Sequence, residues 1–140
     1  MKGACIFCEI LAKRSLAPYW VAESERAFAF LDIHPLRVGH TLVIPKAHTV
    51  DLSDVSPSDW AAVTELTSEV AKLLRRRLGT SGENLMVASG PGSEQSIFHL
   101  HVHVIPRKPG DDLRWNDWWE TKAFTPSAEE LAGLARRIRG

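Results

Sequence analysis

The sequence predicts an α+β fold with an antiparallel sheet, and three observations predict it. Short β-branched and apolar runs follow one another without a helix between each pair, unlike the strict βαβ order of a parallel sheet. One long amphipathic helix interrupts them between residues 57 and 78. A second helix closes the chain.

The elements follow in order. Residues 4–13, which carry both cysteines, read as a short helical turn. Tyr19–Ala22 and Ala27–Leu31 read as strands around the polar turn Glu23-Ser24-Glu25-Arg26. Leu36–Gly39 after Pro35 is a loop, and His40–Ile44 is a strand that Pro45 ends. Trp60, Val63, Leu66, Val70, Leu73, Leu74 and Leu78 recur at helical spacing, with Pro57 at the first turn and Gly79 as the cap. Asn84–Ala88 reads as a strand, Ser89–Ser96 as a polar loop, and Ile97–Ile105 as a strand ended by Pro106. The last helix takes Thr125 as N-cap and runs through Leu131, Leu134 and Ile138, with Arg136, Arg137 and Arg139 near its negative end.

The chain has 140 residues, 44% hydrophobic and 24% charged, which suits a single domain with a real core. Seventeen basic and 17 acidic residues cancel, so no nucleic-acid surface is expected. No apolar run approaches the roughly 20 residues of a spanning helix, so no membrane is expected either. Glu9 interrupts the short apolar run near the N-terminus, which does not read as a signal peptide, and the expected location is the cytoplasm.

His99, His101 and His103 alternate with Leu100, Val102 and Val104. In an extended chain they share one face, roughly 6–7 Å apart, and the aliphatic residues face a core. Three unremarkable histidines on a half-exposed strand are the plain alternative. Chemistry favours a site: imidazole titrates near neutral pH, a neutral ring is a nucleophile toward phosphorus, and a neighbouring ring can stabilise phosphate oxygens or a leaving group. The preceding loop adds Gly90, Gly92 and Ser93, whose N–H groups can converge on an anion, and the donors Gln95 and Ser96.

Cys5 and Cys8 form a C-x-x-C pair with zinc-ligand spacing. A tetrahedral site needs two more ligands, and spacing alone does not choose among His34, His40, His48, His99, His101 and His103. Buried thiols and a redox pair are the other readings.

His99-x-His101-x-His103, followed by two apolar residues, resembles the signature of the histidine triad (HIT) family. Cys5–Ile10, Ala29–Ile33 and Gly39–His48 are similar to the N-terminal half of zinc-containing bacterial members, and Gln95–Arg107 to the C-terminal half. The resemblance implies a five-stranded antiparallel sheet with two main helices, in a homodimer whose sheets join. It covers about residues 4–107, leaving 108–140 as a Trp-rich segment and helix of one HIT domain. It implies hydrolysis at the α-phosphate of nucleoside phosphoramidates or dinucleoside polyphosphates through a covalent nucleotidyl-histidine.

By the same resemblance His101 is the nucleophile, His103 contacts the phosphate and leaving group, and His40 orients His101. Asp32 holds the ribose. Ile6, Phe7, Ile10, Phe30 and Ile33 line a purine pocket. Gln95 and Ser96 hold the phosphate. Cys5, Cys8, His48 and His99 are the ligands of a structural zinc. The family's Asn before the phosphate loop is missing at Val87-Ala88-Ser89, with Ser89 its partial substitute, and Glu94 stands where a glycine is usual. Those departures support one alternative, a nucleotide-binding or partner-binding module with negligible catalysis; a nucleotidyl transferase or phosphorylase is a second. The third histidine favours hydrolysis, since the related phosphorylases have Gln there. Trp115, Trp118 and Trp119 either pack against the core or partner subunit, or wall the leaving-group side.

Overall fold

The computed structural model describes residues 4–140. Its longest element, α2 (Pro57–Leu78), is framed as the sequence requires. Ser56 Oγ accepts the Asp59 N–H, Pro57 stands in the first turn, and Gly79 closes the end in the left-handed region with φ 66°. Val63, Leu66, Val70 and Leu74 form its buried stripe.

Five strands make one sheet: β1 (Trp20–Glu23), β2 (Ala27–Leu31), β3 (Thr41–Pro45), β4 (Gly82–Met86) and β5 (Val102–Arg107). They stand in the order β1-β2-β3-β5-β4, and every neighbouring pair is antiparallel. Alternation divides the side chains between two layers. Ala27, Ala29, Val43, Val102 and Val104 pack on α2. Phe28, Phe30, Leu42 and Ile44 pack on the other face with Phe7, Ile10 and Ala17. Phe7 and Ile10 come from the short helix α1 (Ile6–Ala12). A 3-10 turn, Arg14–Leu16, links α1 to the sheet.

The register places the site. Leu42 pairs with His103, so His103 stands on the α1 face beside the aromatic cluster. Gly39 allows the turn that delivers the neighbouring His40. Its φ is 92°, and a Cβ there would lie 2.5 Å from Leu78 Cδ1.

Several boundaries depart from expectation. The histidine strand begins at Val102, not Ile97, and runs through Pro106, which sits opposite Glu83 in the register. Residues 97–99 bend so that the Leu100 N–H reaches the Thr49 carbonyl instead of a strand partner. Pro45 is the last residue of β3 and not its terminator. β4 lies at 82–86, two residues earlier than expected, because its partner in register is the 103–107 stretch.

The chain divides into two compact units, residues through Pro109 and Gly110–Gly140. The second consists of α3 (Trp115–Lys122), where no element was expected, and α4 (Ala128–Arg139). The N-cap of α4 is Ser127, not Thr125, because Ser127 and Glu130 form a reciprocal capping box. Trp118 and Trp119 are 57% and 67% exposed, so neither is a core residue of this second unit.

Candidate active site and metal centre

Hydrogen bonds fix the proton on the imidazoles of His40, His103 and His101. The Leu36 N–H donates to His40 Nδ1 at 3.0 Å, so the His40 proton sits on Nε2. That Nε2–H donates to His103 Nδ1 at 2.9 Å, which leaves His103 with its own proton on Nε2. His101 Nδ1 lies 2.7 Å from the His99 carbonyl, which only accepts, so His101 holds its proton on Nδ1 and a free lone pair on Nε2. The rings of His101 and His103 are therefore in opposite tautomers, one with a lone pair and one with a donor. Their centroids are 5.0 Å apart, closer than a flat strand would set them.

Burial disfavours the imidazolium at His40, His101 and His103, and holds all three below the ordinary range. For His103 the neighbouring rings of His101 and His40 add to the effect, and its pKa falls to about 4. Asp32 opposes the shift. Its Oδ2 lies 3.6 Å from His40 Nε2 and 3.8 Å from His103 Nδ1, while Oδ1 accepts the His34 N–H. Asp32, His40 and His103 are close enough to suggest a metal site. The tautomers argue otherwise, since the facing nitrogens already share a proton.

His101 and His103 line a cleft of about 490 Å³. Ile6, Phe7, Ile10, Phe30 and Ile33, the apolar residues expected around a purine, line it as well. So do Asp32 and Ser96. Sequence reasoning missed Leu16, Tyr19, Leu31, His34, Leu42 and Ile97 in this lining. Leu42 was readable from alternation on β3, whereas Leu16 and Tyr19 arrive through an irregular turn.

Three expected positions stand elsewhere. His40 bonds His103 and not His101, because its Nε2 faces the neighbouring strand β5. Ser89 and Gln95 are not among the described residues lining the cleft. Ser89 Oγ accepts the Leu52 N–H. The Gln95 amide donates to the Val50 and Ile97 carbonyls and accepts the Gly90 N–H, so its side chain braces the loop and has no donor left for a phosphate. Glu94, in the left-handed region at φ 62°, is exposed.

The cysteine pair meets two histidines. Cys5 caps α1 with its sulfur, which places Cys8 one turn on. Cys8 Sγ lies 3.2 Å from His48 Nδ1, and His99 Nδ1 lies 3.4 Å from Cys5 Sγ and 3.6 Å from Cys8 Sγ. The tautomer of His99 suits ligation: Nε2 donates to the Pro45 carbonyl at 2.8 Å, which leaves the Nδ1 lone pair aimed at the sulfurs. A tetrahedral zinc with ordinary bond lengths sets sulfur and nitrogen about 3.6 Å apart. All four donor atoms lie within 4.8 Å of one another. This is a Cys₂His₂ group of the right chemistry and spacing for a metal ion.

Paired, tautomer-fixed imidazoles on a five-stranded antiparallel sheet define a histidine triad protein. The chain belongs to the HIT domain family, whose profile matches residues 17–110. It is 41% identical over 105 residues to an uncharacterized HIT-like protein of Mycoplasma genitalium, covering 75% of this chain and 74% of that one. It is 33% identical to an adenosine 5′-monophosphoramidase of Schizosaccharomyces pombe, covering 96% of each chain. A Zn-bound histidine triad family protein from Mycobacterium smegmatis superposes with a TM-score of 0.73 at 37% identity, covering 91% of this chain and 86% of that one. Among the described residues, no helix is long and apolar enough to cross a membrane.

Proposed function

We propose that this chain hydrolyses purine nucleotides at the α-phosphate, with nucleoside phosphoramidates or dinucleoside polyphosphates as substrates. The observation that carries this reading is the lone pair on His101 Nε2, fixed by the 2.7 Å bond at Nδ1, in a cleft whose apolar wall suits a purine. The base lies among Phe7, Phe30, Ile6, Ile10 and Ile33, and Asp32 takes the ribose hydroxyls. His101 Nε2 attacks phosphorus in line, the bond to the leaving group breaks, and the leaving atom takes a proton from solvent. The nucleotidyl ring then carries positive charge, which the His99 carbonyl stabilises through Nδ1–H. Water attacks phosphorus, the bond to His101 breaks, and the water's proton passes to solvent as the nucleoside monophosphate leaves. His103 Nε2–H and the Ser96 hydroxyl donate to phosphate oxygens. Similarity to a phosphoramidase over nearly the whole chain supports the phosphoramidate class.

Cys5, Cys8, His48 and His99 would hold zinc. Four protein ligands leave no open position, so the metal would serve structure. The thiolates suit a reducing compartment, the cytoplasm. β4 ends the sheet with Leu85 and Met86 exposed, and a second copy pairing there would join two sheets in a homodimer. Residues 108–140 would complete the same HIT domain.

A turnover panel tests the substrate class: adenosine phosphoramidate, diadenosine polyphosphates and their guanosine counterparts, each with and without added phosphate. Release of nucleoside monophosphate supports hydrolysis. Phosphate-dependent release of nucleoside diphosphate would make the protein a phosphorylase.

A further inference from the structure

We propose that His99 is a positioning residue for the nucleophile, and that the Cys5–Cys8–His48–His99 centre thereby sets the tautomer and stance of His101. The proposal rests on reading that centre as a metal site. His99 works at both ends. Its ring nitrogen Nδ1 faces the two sulfurs, and its backbone carbonyl holds the His101 Nδ1–H at 2.7 Å.

The sheet does not hold this carbonyl. The β3–β5 ladder reaches only as far as Val102, opposite Val43, and residues 97–101 lie outside any strand. The segment is held by the Leu100 N–H on the Thr49 carbonyl, the Gln95 amide on the Ile97 carbonyl, the buried Leu100 side chain and the anchored ring of His99, and that ring is its direct link to the four-residue centre. That ring is fully buried and bonded to the Pro45 carbonyl. It stands edge-on to His48, with centroids 5.1 Å apart. Phe7, one residue before Cys8, packs edge-on against both His99 and His101, at 5.8 and 5.3 Å. A shift of the four-residue centre therefore reaches His101 by two routes, the peptide and the Phe7 ring.

His103 supplies an internal control. It is held by His40, which is held by the Leu36 N–H, and neither bond involves a cysteine, His48 or His99. A centre that only fastened α1 to the sheet would change melting temperature and leave both working rings alike. A positioning centre moves His101 and spares His103.

The test is nitrogen NMR of the imidazoles in the full chain, with zinc content measured first. With zinc loaded, His101 is expected as the Nδ1–H tautomer and His103 as the Nε2–H tautomer. On removal of zinc by a chelator, His101 should become a mixture of tautomers and His103 should not change. Nucleotidylation of His101 should slow by about tenfold to a hundredfold, the scale of a misplaced reacting group, and zinc should restore it. Unchanged His101 signals, or equal changes at both rings, overturn the proposal. Should the chelated chain unfold, the cadmium-loaded protein replaces it. The longer metal–sulfur bonds should shift His101 more than His103, and equal shifts overturn the proposal. A chain that binds no zinc refutes the metal reading and the proposal with it, whereas zinc uptake with an unmoved His101 refutes the coupling alone.

Discussion

His40 donates its Nε2 proton to His103 Nδ1 across 2.9 Å, and so makes His103 a hydrogen-bond donor toward the cleft. His40→Ala removes that donor and lets His103 turn its tautomer. The expected result is a fall in kcat/KM of about a hundredfold, the scale of a lost acid–base or donor contribution, with purine binding retained. Steady-state kinetics beside AMP titration check it. Loss of AMP binding together with turnover would point to a collapsed cleft instead.

The same pair gives the fold an acid limit. His103 takes up a proton near pH 6.5 when the chain is unfolded and only at about 4 when it is folded. Its contribution to stability is complete above pH 6.5 and is lost as pH falls through 4, at most about 3 kcal/mol. His40, also held down by burial, acts with the same sign. Urea midpoints measured from pH 7 to 4 should show the wild type losing stability relative to His103→Gln as pH falls. A pH-independent difference between the two would show that His103 does not set the acid limit.

Replacing His48 by Ala should lower both zinc content and melting temperature. One ligand of four is lost, and a change of about 1 kcal/mol lowers Tm by about 4 °C in a chain of this size. Elemental analysis and calorimetry check it. Unchanged zinc content would refute the ligand assignment.

Gly39→Ala should destabilise the fold by about 1–3 kcal/mol, through a strained positive φ and a Cβ driven into Leu78 at the end of α2. Denaturant unfolding reads the loss. Because Gly39 leads directly into His40, turnover should fall more than stability alone explains.

The sequence and the structure agree over α2, where periodicity and capping decide, and part where long-range pairing does; the cap of α4 also falls two residues later than expected, at Ser127. Ser56, Pro57 and Gly79 announce α2 because each satisfies a local geometric need. The alternation placed Val102 and Val104 in the core correctly. It did not reveal that pairing begins only at Val102, since an extended chain alternates whether or not it has a partner. The partner of His40 was hidden for the same reason: β3 and β5 are adjacent only after the chain crosses α2. Ser89 and Gln95 were taken for phosphate donors because a polar side chain in a Gly-rich loop bonds a ligand or its own backbone equally well, and here it bonds the backbone. The C-x-x-C pair named its chemistry, while the family resemblance supplied the two histidines that the structure brings to it.

The proposed nucleophile is His101 Nε2, and rapid alkaline quench with adenosine phosphoramidate carrying a radiolabelled phosphorus decides the assignment. Labelled protein is expected within the first turnover, with the label on His101, and none in His101→Ala, which should still bind AMP. Turnover by His101→Ala, or label on another residue, would contradict it.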